Sequence, residues 1–359
     1  MTMKRAAVLL IVVAVIAILG YLQRDSIVTG LAMRGIEARM GADYLATHED
    51  GLHLTLCGAG SPLAAPNASG PCVAVVAGQR VFIVDSGSNG RIILQRIGYQ
   101  PGDIKAVLLT HFHSDHIDGL GNMGVARWAG GEFTDPLPVY GPEGVDHVVN
   151  GFNDAYAQDV VYRHEHHGDL VAPLAGAGLA AIPFKTPAIG ELIKVYDEAG
   201  LTIEALAVSH APVEPAVGYR FSYKGRSLLI SGDTVKSANV QRFAEGVDLL
   251  VHEGLAPNMV TMMEQVATKL GNKSTAKVLY DIRDYHTSPV EAAEIARDAG
   301  VGHLLYYHIV PPIIFPGQEA LFLNGAEDIF PDYTVGQDGV AFFLPANSDK
   351  IIQTKEGLK

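Results

Sequence analysis

The sequence contains very little cysteine, with only Cys57 and Cys72 among 359 residues. Two cysteines cannot form a zinc cluster bound by thiolates alone, so any metal must be held by histidine and carboxylate side chains. The two cysteines flank a turn-rich stretch, GAGSPLAAPNASGP, which can bring two neighbouring strand ends together. A disulfide and two free buried thiols are both compatible with this pattern.

Positive charge is also scarce. The chain has 26 Lys and Arg residues against 39 Asp and Glu residues, a formal net charge of −13 at pH 7. No cluster of Lys and Arg stands out along the sequence. Because proteins bind nucleic acids largely through phosphate contacts, an acidic body without a basic patch repels them. We therefore expect no nucleic-acid partner.

One long apolar run lies near the N-terminus. Residues 6–22, AAVLLIVVAVIAILGYL, are long enough to cross a bilayer and follow the basic residues Lys4 and Arg5. The end of the run lacks the A-x-A pattern of a signal-peptide cleavage site. The run predicts an uncleaved membrane helix, with the catalytic domain outside the cytoplasm, periplasmic or extracellular. If the segment is cleaved, the protein is secreted instead.

The rest of the chain has the pattern of one α/β domain. After the N-terminal segment, residues 1–22, we expect a polar connector at 23–50, a catalytic domain at 51–346 and a tail at 347–359. Short apolar, β-branched runs such as CVAVVA, RVFIVD and SLLISG predict strands. The clearest helix follows Ser288, with Pro in its first turn and a Glu that completes a capping box. Because strands and helices do not alternate strictly, the pattern favours two sheets covered by helices.

A dense group of metal-ligand side chains follows the predicted strand KAVLL. The sequence THFHSDH, residues 110–116, concentrates three imidazoles and a carboxylate at the end of this strand. Two histidines spaced by one residue can bind one ion, while the Asp and His that follow can turn towards a second. A histidine-rich surface loop is the alternative, but this spacing is rare by chance. The motif therefore predicts a metal site.

Three further ligand-type side chains also stand where a predicted strand ends. His210 follows VS, Asp233 follows SG, and His308 follows YY just before Pro311 and Pro312. A single histidine after a strand is more often an ordinary loop residue. Four such strand endings in one chain favour a shared metal centre.

These motifs resemble the ribonuclease Z and arylsulfatase branch of the metallo-β-lactamase superfamily. The resemblance covers about residues 52–344 and includes LTLCGAGSP, FIVDSG, LLTHFHSDHIDGL, PVYGPEGV, SHAPVEPAVGYRF, LLISGDT, LLVHEG, YHTSPVEAAEIA and LLYYHI, in the family's order. It implies an αββα sandwich of two mixed β-sheets flanked by helices. It also implies two metal sites, the first held by His111, His113 and His210, the second by Asp115, His116 and His308, with Asp233 bridging them.

The implied chemistry is hydrolysis of an ester with two zinc ions, although manganese and iron accept the same ligands. A hydroxide that bridges the metals would act as the nucleophile, and Asp115 is placed to orient it. His286 resembles the family's histidine that protonates the leaving group. Glu253 could keep His286 charged, or it could be an ordinary loop carboxylate, while His252 is expected to be structural.

The substrate is expected to be a small phosphodiester, sulfate or related ester. In ribonuclease Z proteins a long arm that grips transfer RNA separates the GYR and SGDT segments, and here FSYKGRSLLI joins them directly. A ribonuclease Z-type endonuclease that processes the 3′ end of transfer RNA is the alternative. A non-catalytic metal-binding protein is a second alternative, which the complete ligand set disfavours. A monomer and a dimer are both compatible with the sequence.

Two other groups of residues have more ordinary interpretations. The cluster His164, Glu165, His166 and His167 is expected to be exposed or to lie at the rim of the site, rather than to bind a third metal. The aromatic residues Trp128, Phe133 and Tyr140 are expected to pack in the core.

Overall fold

A computed structural model describes residues 20–66, 68–131 and 133–355. The chain divides into two compact units, Met1–Tyr44 and Leu45–Lys359. In the first unit, helix α1 (Arg24–Met40) has no buried residue. Residues 6–19 of the predicted membrane helix lie outside the described residues. Among those that the structure describes, no helix has the length and hydropathy to span a bilayer.

The second unit contains two mixed β-sheets. One has eight strands in the order β15-β14-β1-β2-β3-β4-β5-β6, and the other has seven in the order β13-β12-β11-β10-β9-β8-β7. The strands are β1 (Gly51–Gly58), β2 (Cys72–Ala77), β3 (Arg80–Val84), β4 (Ile104–Leu108), β5 (Leu137–Gly141), β6 (Leu179–Pro183), β7 (Leu192–Glu198), β8 (Leu201–Ala207), β9 (Val217–Tyr223), β10 (Arg226–Ile230), β11 (Leu249–Leu255), β12 (His303–Val310), β13 (Tyr333–Val335), β14 (Val340–Pro345) and β15 (Ile352–Lys355).

Helices cover the outer faces of both sheets. In this unit they are α2 (Gly90–Ile97), α3 (Ser114–Ile117), α4 (Leu120–Gly131), α5 (Val145–His167), α6 (Ala238–Phe243), α7 (Pro257–Lys269), α8 (Lys273–Asp281), α9 (Pro289–Ala299), α10 (Gln318–Leu323) and α11 (Ala326–Ile329). Helices α2, α4 and α5 contact the first sheet, and α9 contacts the second. The predicted sandwich of two mixed sheets between helices is confirmed.

The main core lies between the two sheets. Leu54 and Phe82 from the first sheet pack in one buried cluster with Phe221 and Leu249 from the second. Strand β2 is apolar at every position and fully buried, as expected for a strand that is covered on both faces. Removal of this apolar surface from water is the main force that holds the sheets together.

Helix α9 begins and ends where the sequence predicts. The Ser288 hydroxyl accepts a hydrogen bond from the Glu291 backbone N–H at 3.2 Å, and the Glu291 carboxylate accepts one from the Ser288 N–H at 2.9 Å. Gly300 ends the helix in the left-handed conformation that glycine adopts without strain. The apolar face of α9, which includes Ile295, is buried against the second sheet.

The direction of the strands places several strand ends at one edge of the sandwich. Strands β3 and β4 are parallel neighbours in the first sheet, and β10, β11 and β12 are parallel neighbours in the second. Because the carboxyl ends of parallel strands lie at the same edge, the residues that follow these strands are brought close together. His111, Asp233, Glu253 and His308 all lie at such strand ends.

Cys57 and Cys72 form a disulfide bond. Both residues are fully buried, at the point where the end of β1 pairs with the start of β2. The bond closes the loop of residues 58–71. Of the two arrangements that the sequence allows, the structure contains the disulfide.

We expect reduction of this disulfide to lower the free energy of unfolding by about 3 kcal/mol, because the bond closes a loop of roughly fifteen residues in the unfolded chain. Urea denaturation with and without reductant measures the difference. Alkylation of unfolded, unreduced protein is the control, and it should label neither cysteine. Labelling of both cysteines without reductant would show that the bond is absent.

Candidate metal centre

The first group of predicted ligands gathers at the end of strand β4. His111 Nε2 lies 3.0 Å from His113 Nδ1, and His210 Nε2 lies 3.4 Å from the same nitrogen. The Asp233 Oδ2 atom is 3.9 Å from both His111 Nε2 and His210 Nε2. Three imidazoles and one carboxylate oxygen thus surround one small volume, although more than a hundred residues separate His111 from Asp233 in sequence.

The second group lies on the other side of Asp233. His116 Nε2 and His308 Nε2 are 3.6 Å and 3.4 Å from Asp115 Oδ2. Each of these two nitrogens is also 3.3 Å from Asp233 Oδ2. Asp233 therefore stands between the two groups, in the position that a bridging ligand requires. Within each group one ligand atom per residue lies within 4.8 Å of the others.

The residues present fit two metal ions. Within the described part of the chain, the buried atoms His116 Nε2 and Asp233 Oδ1 have no hydrogen-bond partner. A buried polar atom without a partner is costly, and a cation bound by both would remove this cost. Imidazole nitrogen and carboxylate oxygen are ligands that zinc accepts, in roughly the number that two ions need.

In three of the ligand imidazoles the second nitrogen has its own partner, whereas His308 Nδ1 has none among the described residues. The His116 Nδ1–H donates to Asp85 Oδ2 at 2.8 Å, and the His210 Nδ1–H donates to the Tyr285 carbonyl at 2.8 Å. His111 Nδ1 lies 3.0 Å from the Thr110 hydroxyl, which itself donates to Asp85 at 2.8 Å. These bonds fix the tautomer that leaves Nε2 free to face the centre.

Asp85 is a site residue that the analysis of the sequence did not identify. It is buried, adopts a positive φ of 58° directly after β3, and also accepts a hydrogen bond from the Thr110 backbone N–H. The available signal was its place in FIVDSG, where a strand again ends in a carboxylate. Asp85 supports the ligands without lying among them.

The charges of the centre suit cation binding. Burial raises the pKa of the Asp233 carboxyl, but the His308 and His116 imidazoles outweigh burial and hold this pKa well below its ordinary value. Burial lowers the pKa of His111 well below its usual range. Burial also lowers the pKa of His116, but the Asp233 and Asp85 carboxylates raise it well above normal. These directions favour an ionised Asp233 and a neutral His111, which suits a cation, whereas His116 would have to give up a proton in order to bind one.

His286 and Glu253 form a buried pair beside the ligands. His286 Nδ1 lies 3.0 Å from Glu253 Oε1, which also accepts a hydrogen bond from the Thr287 N–H at 2.9 Å. Burial lowers the pKa of His286, but the Glu253 carboxylate outweighs burial and raises this pKa. The His286 ring is 5.1 Å from that of His210 and faces the same cleft. With Asp233 and His308, His286 could itself join a metal-binding group.

The neighbouring His252 is fully buried and donates to a backbone carbonyl, as a structural residue does.

The other residues singled out in the sequence lie away from this centre. The cluster of residues 164–167 ends helix α5, where His164 Nδ1 contacts the Ala172 carbonyl and His166 and His167 are exposed. Trp128 is buried and donates to the Pro173 carbonyl. Tyr140 packs on the main core, and Phe133 lies under the Arg127 guanidinium. These residues do not line the metal cleft.

Comparison with known proteins places the chain in a recognised group. Residues 66–299 match the model of the metallo-beta-lactamase superfamily. A ribonuclease Z of Mycobacterium bovis is 38% identical over 273 residues, which cover 75% of this chain and 89% of the relative. A ribonuclease Z of a Mycobacterium species, strain KMS, is 35% identical over 282 residues, covering 78% and 91%.

Two solved structures share the fold. The metallo-beta-lactamase fold protein YhfI of Bacillus subtilis has a TM-score of 0.57 at 20% identity, covering 81% of this chain and 99% of its own. The short form of human tRNase Z has a TM-score of 0.57 at 17% identity, covering 82% and 99%. At these identities the similarity concerns the fold alone.

These relatives correct three predictions from the sequence. The predicted location outside the cytoplasm, with its membrane helix, is contradicted by the aligned relatives, which are named ribonuclease Z. The described residues contain no helix long and apolar enough to span a bilayer, and most of the predicted helix, residues 6–19, lies outside them. The exclusion of nucleic acid is wrong as well, because the relatives carry the name of a ribonuclease. The physical reason for the second error is that the net charge of the whole chain does not describe the electric field at a metal centre. Nor do these relatives support a sulfatase.

Asp85 offers a test of the centre. We expect Asp85→Asn to weaken zinc binding by about 10- to 100-fold, because the amide has only one acceptor oxygen and cannot keep all three bonds that the carboxylate accepts from His116 and Thr110. Competition with a chelator measures the affinity. Asp146→Asn, the same change at an exposed position of α5, is the control and should leave zinc binding unchanged. Equal zinc affinities in the two variants would show that Asp85 does not support the metal ligands.

Proposed function

Because this chain belongs to the metallo-beta-lactamase superfamily, we propose that it is a ribonuclease Z-type hydrolase that cleaves a phosphodiester bond of RNA. The coarser activity, metal-dependent hydrolysis, follows from the family and from the clustered histidines and aspartates. The observation that carries the finer proposal is the similarity to ribonuclease Z over 89% of the relative's length.

We infer that the centre holds two zinc ions, and that manganese or iron can replace them. The ligands would be His111, His113 and His210 for one ion, Asp115, His116 and His308 for the other, and Asp233 for both. When bound, such a pair lowers the pKa of a bound water and stabilises negative charge on the phosphoryl oxygens.

Asp115 is suited to orient the attacking water. Its carboxylate lies among the second group of ligands and also lines the cleft, with 11% of the side chain exposed. A carboxylate in this position can accept a hydrogen bond from a water molecule and turn a lone pair of that water towards the phosphorus. The low pKa of Asp115 supports this role: burial raises the pKa, but the hydrogen bond with His308 and the charge of His116 lower it overall.

His286 is suited to protonate the leaving oxygen. Its Nδ1–H donates to the buried Glu253 carboxylate, so a proton on the other ring nitrogen is available to the cleft. Glu253 acts through His286, by favouring its protonated form and fixing its orientation. Glu253 itself is fully buried and does not line the cleft, which makes it a positioning residue.

One observation favours a second candidate, a phosphodiesterase that acts on small diesters. Strands β9 and β10 are joined only by Lys224 and Gly225. The arm that the family resemblance leads one to expect between the GYR and SGDT segments is therefore missing. Without the arm, RNA must be held by surfaces close to the cleft, or the substrate must be small.

We expect His286→Ala to slow cleavage of an RNA phosphodiester by about 100-fold or more, because an alkoxide leaving group needs a proton. Cleavage of bis-p-nitrophenyl phosphate should fall much less, since p-nitrophenolate leaves without one. Single-turnover rates on both substrates and metal analysis measure the effect. Loss of metal from the variant would contradict the role given to His286.

A substrate panel tests the proposed function itself. The metal-loaded protein is assayed with a precursor transfer RNA, bis-p-nitrophenyl phosphate and p-nitrophenyl sulfate. We expect RNA cleavage at a defined 3′ site, hydrolysis of the diester and no hydrolysis of the sulfate. Asp233→Ala, which removes the bridging ligand, should abolish activity and so exclude a contaminating nuclease. Cleavage of the diester without the RNA would favour the second candidate over the first.

A further inference from the structure

The cleft at the metal centre has two chemically different walls. One wall carries the ligands and His286. The apolar part of the lining is formed by Leu63, Val278, Leu279, Ile282 and Val310. The cleft has a volume of about 250 Å³, and among the described residues that line it there is no Lys or Arg. A substrate is thus offered a site for one anionic group beside an apolar surface.

An apolar groove adjoins this cleft, and Leu63 lines both of them. The groove has a volume of about 470 Å³ and lies between helix α7 and the segment that follows strand β12. Its lining residues are Leu63, Ala64, Met259, Met262, Met263, Pro311, Pro312, Ile314, Phe315, Gln318 and Leu321. None of these described lining residues is charged. Gln318 is the only polar one, and its amide is already bonded to the backbone of Pro312 and Ile314.

The groove is a built feature of the fold. Helix α7 and helix α8 pack on the end of the second sheet through a separate buried cluster that includes Leu255, Val260 and Leu279. The Arg283 guanidinium ties the two helices together through Glu264 at 2.8 Å. Yet four large apolar side chains of the groove remain exposed to solvent: Met262 at 47%, Met263 at 39%, Ile314 at 61% and Phe315 at 55%. A contiguous exposed apolar surface beside a reactive centre marks a binding site.

None of the described residues that line the groove is Lys or Arg, so the groove itself offers no cationic partner to a second phosphate. Two positive charges close to the helices are paired, Arg283 with Glu264 and the Thr261 hydroxyl, and Lys277 with Asp281. A chain of phosphates would therefore have to be held by other surfaces of the protein. A single phosphate with an apolar substituent matches both the cleft and the groove.

We propose that the groove binds an apolar substituent of a phosphodiester substrate, such as a long alkyl or acyl chain, while the phosphate lies at the metal centre. This inference rests on the proposed hydrolase activity, but it does not require RNA to be the diester. The reaction is ordinary hydrolysis: water adds to phosphorus, one P–O bond breaks, and the leaving oxygen receives a proton, so that a phosphomonoester and an alcohol result.

The size of the effect follows from the hydrophobic contribution of each methylene. A fully buried methylene changes an equilibrium or rate constant by about fourfold. Because the groove is open on one side, we expect about half of this free energy, which is about twofold for each methylene. Seven additional methylenes should then raise kcat/KM by about 100-fold.

The test uses the metal-loaded full-length protein with methyl and octyl p-nitrophenyl phosphate, at concentrations where neither forms micelles. We expect kcat/KM for the octyl diester to exceed that for the methyl diester by about 100-fold. Calorimetric titration with octylphosphonate and methylphosphonate gives the same comparison without turnover, and binding of the octyl compound should show a more negative heat-capacity change.

Two matched variants locate the binding surface. Phe315→Glu places a charge in the groove and should reduce the octyl-to-methyl ratio by at least about tenfold. Leu174→Glu is the control, because Leu174 is equally exposed, at 54% against 55% for Phe315, and does not line the groove. The control should leave the ratio unchanged.

Several outcomes would overturn the inference. One is an octyl-to-methyl ratio close to one, both in kcat/KM and in affinity. Another is an equal fall of this ratio in Phe315→Glu and in Leu174→Glu. A dimer that Phe315→Glu dissociates, together with a flat ratio, would assign the groove to a second copy of the chain. Tighter binding of octylphosphonate by a protein that hydrolyses no diester would support the groove and reject the proposed function.

Discussion

The structure depends on one electrostatic constraint: ligand atoms that would repel or desolvate one another are held together in a buried space. Asp233 Oδ2 lies within 3.9 Å of four imidazole nitrogens. In the first group of ligands, His113 Nδ1 lies 3.0 Å from His111 Nε2 and 3.4 Å from His210 Nε2. Such an arrangement is costly without a cation, because lone pairs face lone pairs in a medium of low polarity. Two metal ions bound by these atoms would turn this cost into a favourable interaction, and the cores of the sandwich hold the strand ends in the positions that such binding requires.

That constraint explains why the supporting hydrogen bonds matter as much as the ligands. An imidazole can offer a lone pair to a metal only from the nitrogen that carries no proton. Asp85 and the Tyr285 carbonyl accept the protons of His116 and His210, and so decide which nitrogen faces the centre. Glu253 likewise accepts a hydrogen bond from His286 Nδ1. Its carboxylate raises the pKa of His286 and so favours the protonated imidazole. Similar hydrogen bonds thus prepare ligands on one side of the cleft and an acid on the other.

Much of this centre was predictable from the sequence, because each ligand directly follows an apolar, β-branched strand. The HFHSDH motif, His210, Asp233 and His308 all have this form, and strand ends that share an edge must converge. Asp85 follows a strand in the same manner, but one carboxylate after a strand is too common a pattern to single out. The groove was not predictable, since Leu63 and Phe315 are 252 positions apart in the sequence (315 − 63) and meet only in the fold. The exclusion of nucleic acid relied on the net charge of the whole chain, and the membrane location relied on the apolar run of residues 6–22. Neither quantity describes the geometry of the centre.

The two substrates suggested by the molecule place different demands on the same chemistry. A pair of metal ions at this centre would bind one scissile phosphate and would not distinguish the groups on either side of it. Discrimination must therefore come from the walls of the cleft, where the free energy of burying a substituent adds to that of binding the phosphate. RNA offers further phosphates, which need cations, whereas the wall that carries Leu63, Leu279 and Val310 provides only apolar contact. A ribonuclease ancestry and an apolar cleft are compatible if the catalytic centre has been retained while its surroundings have changed, and the short turn between β9 and β10 is a change of that kind.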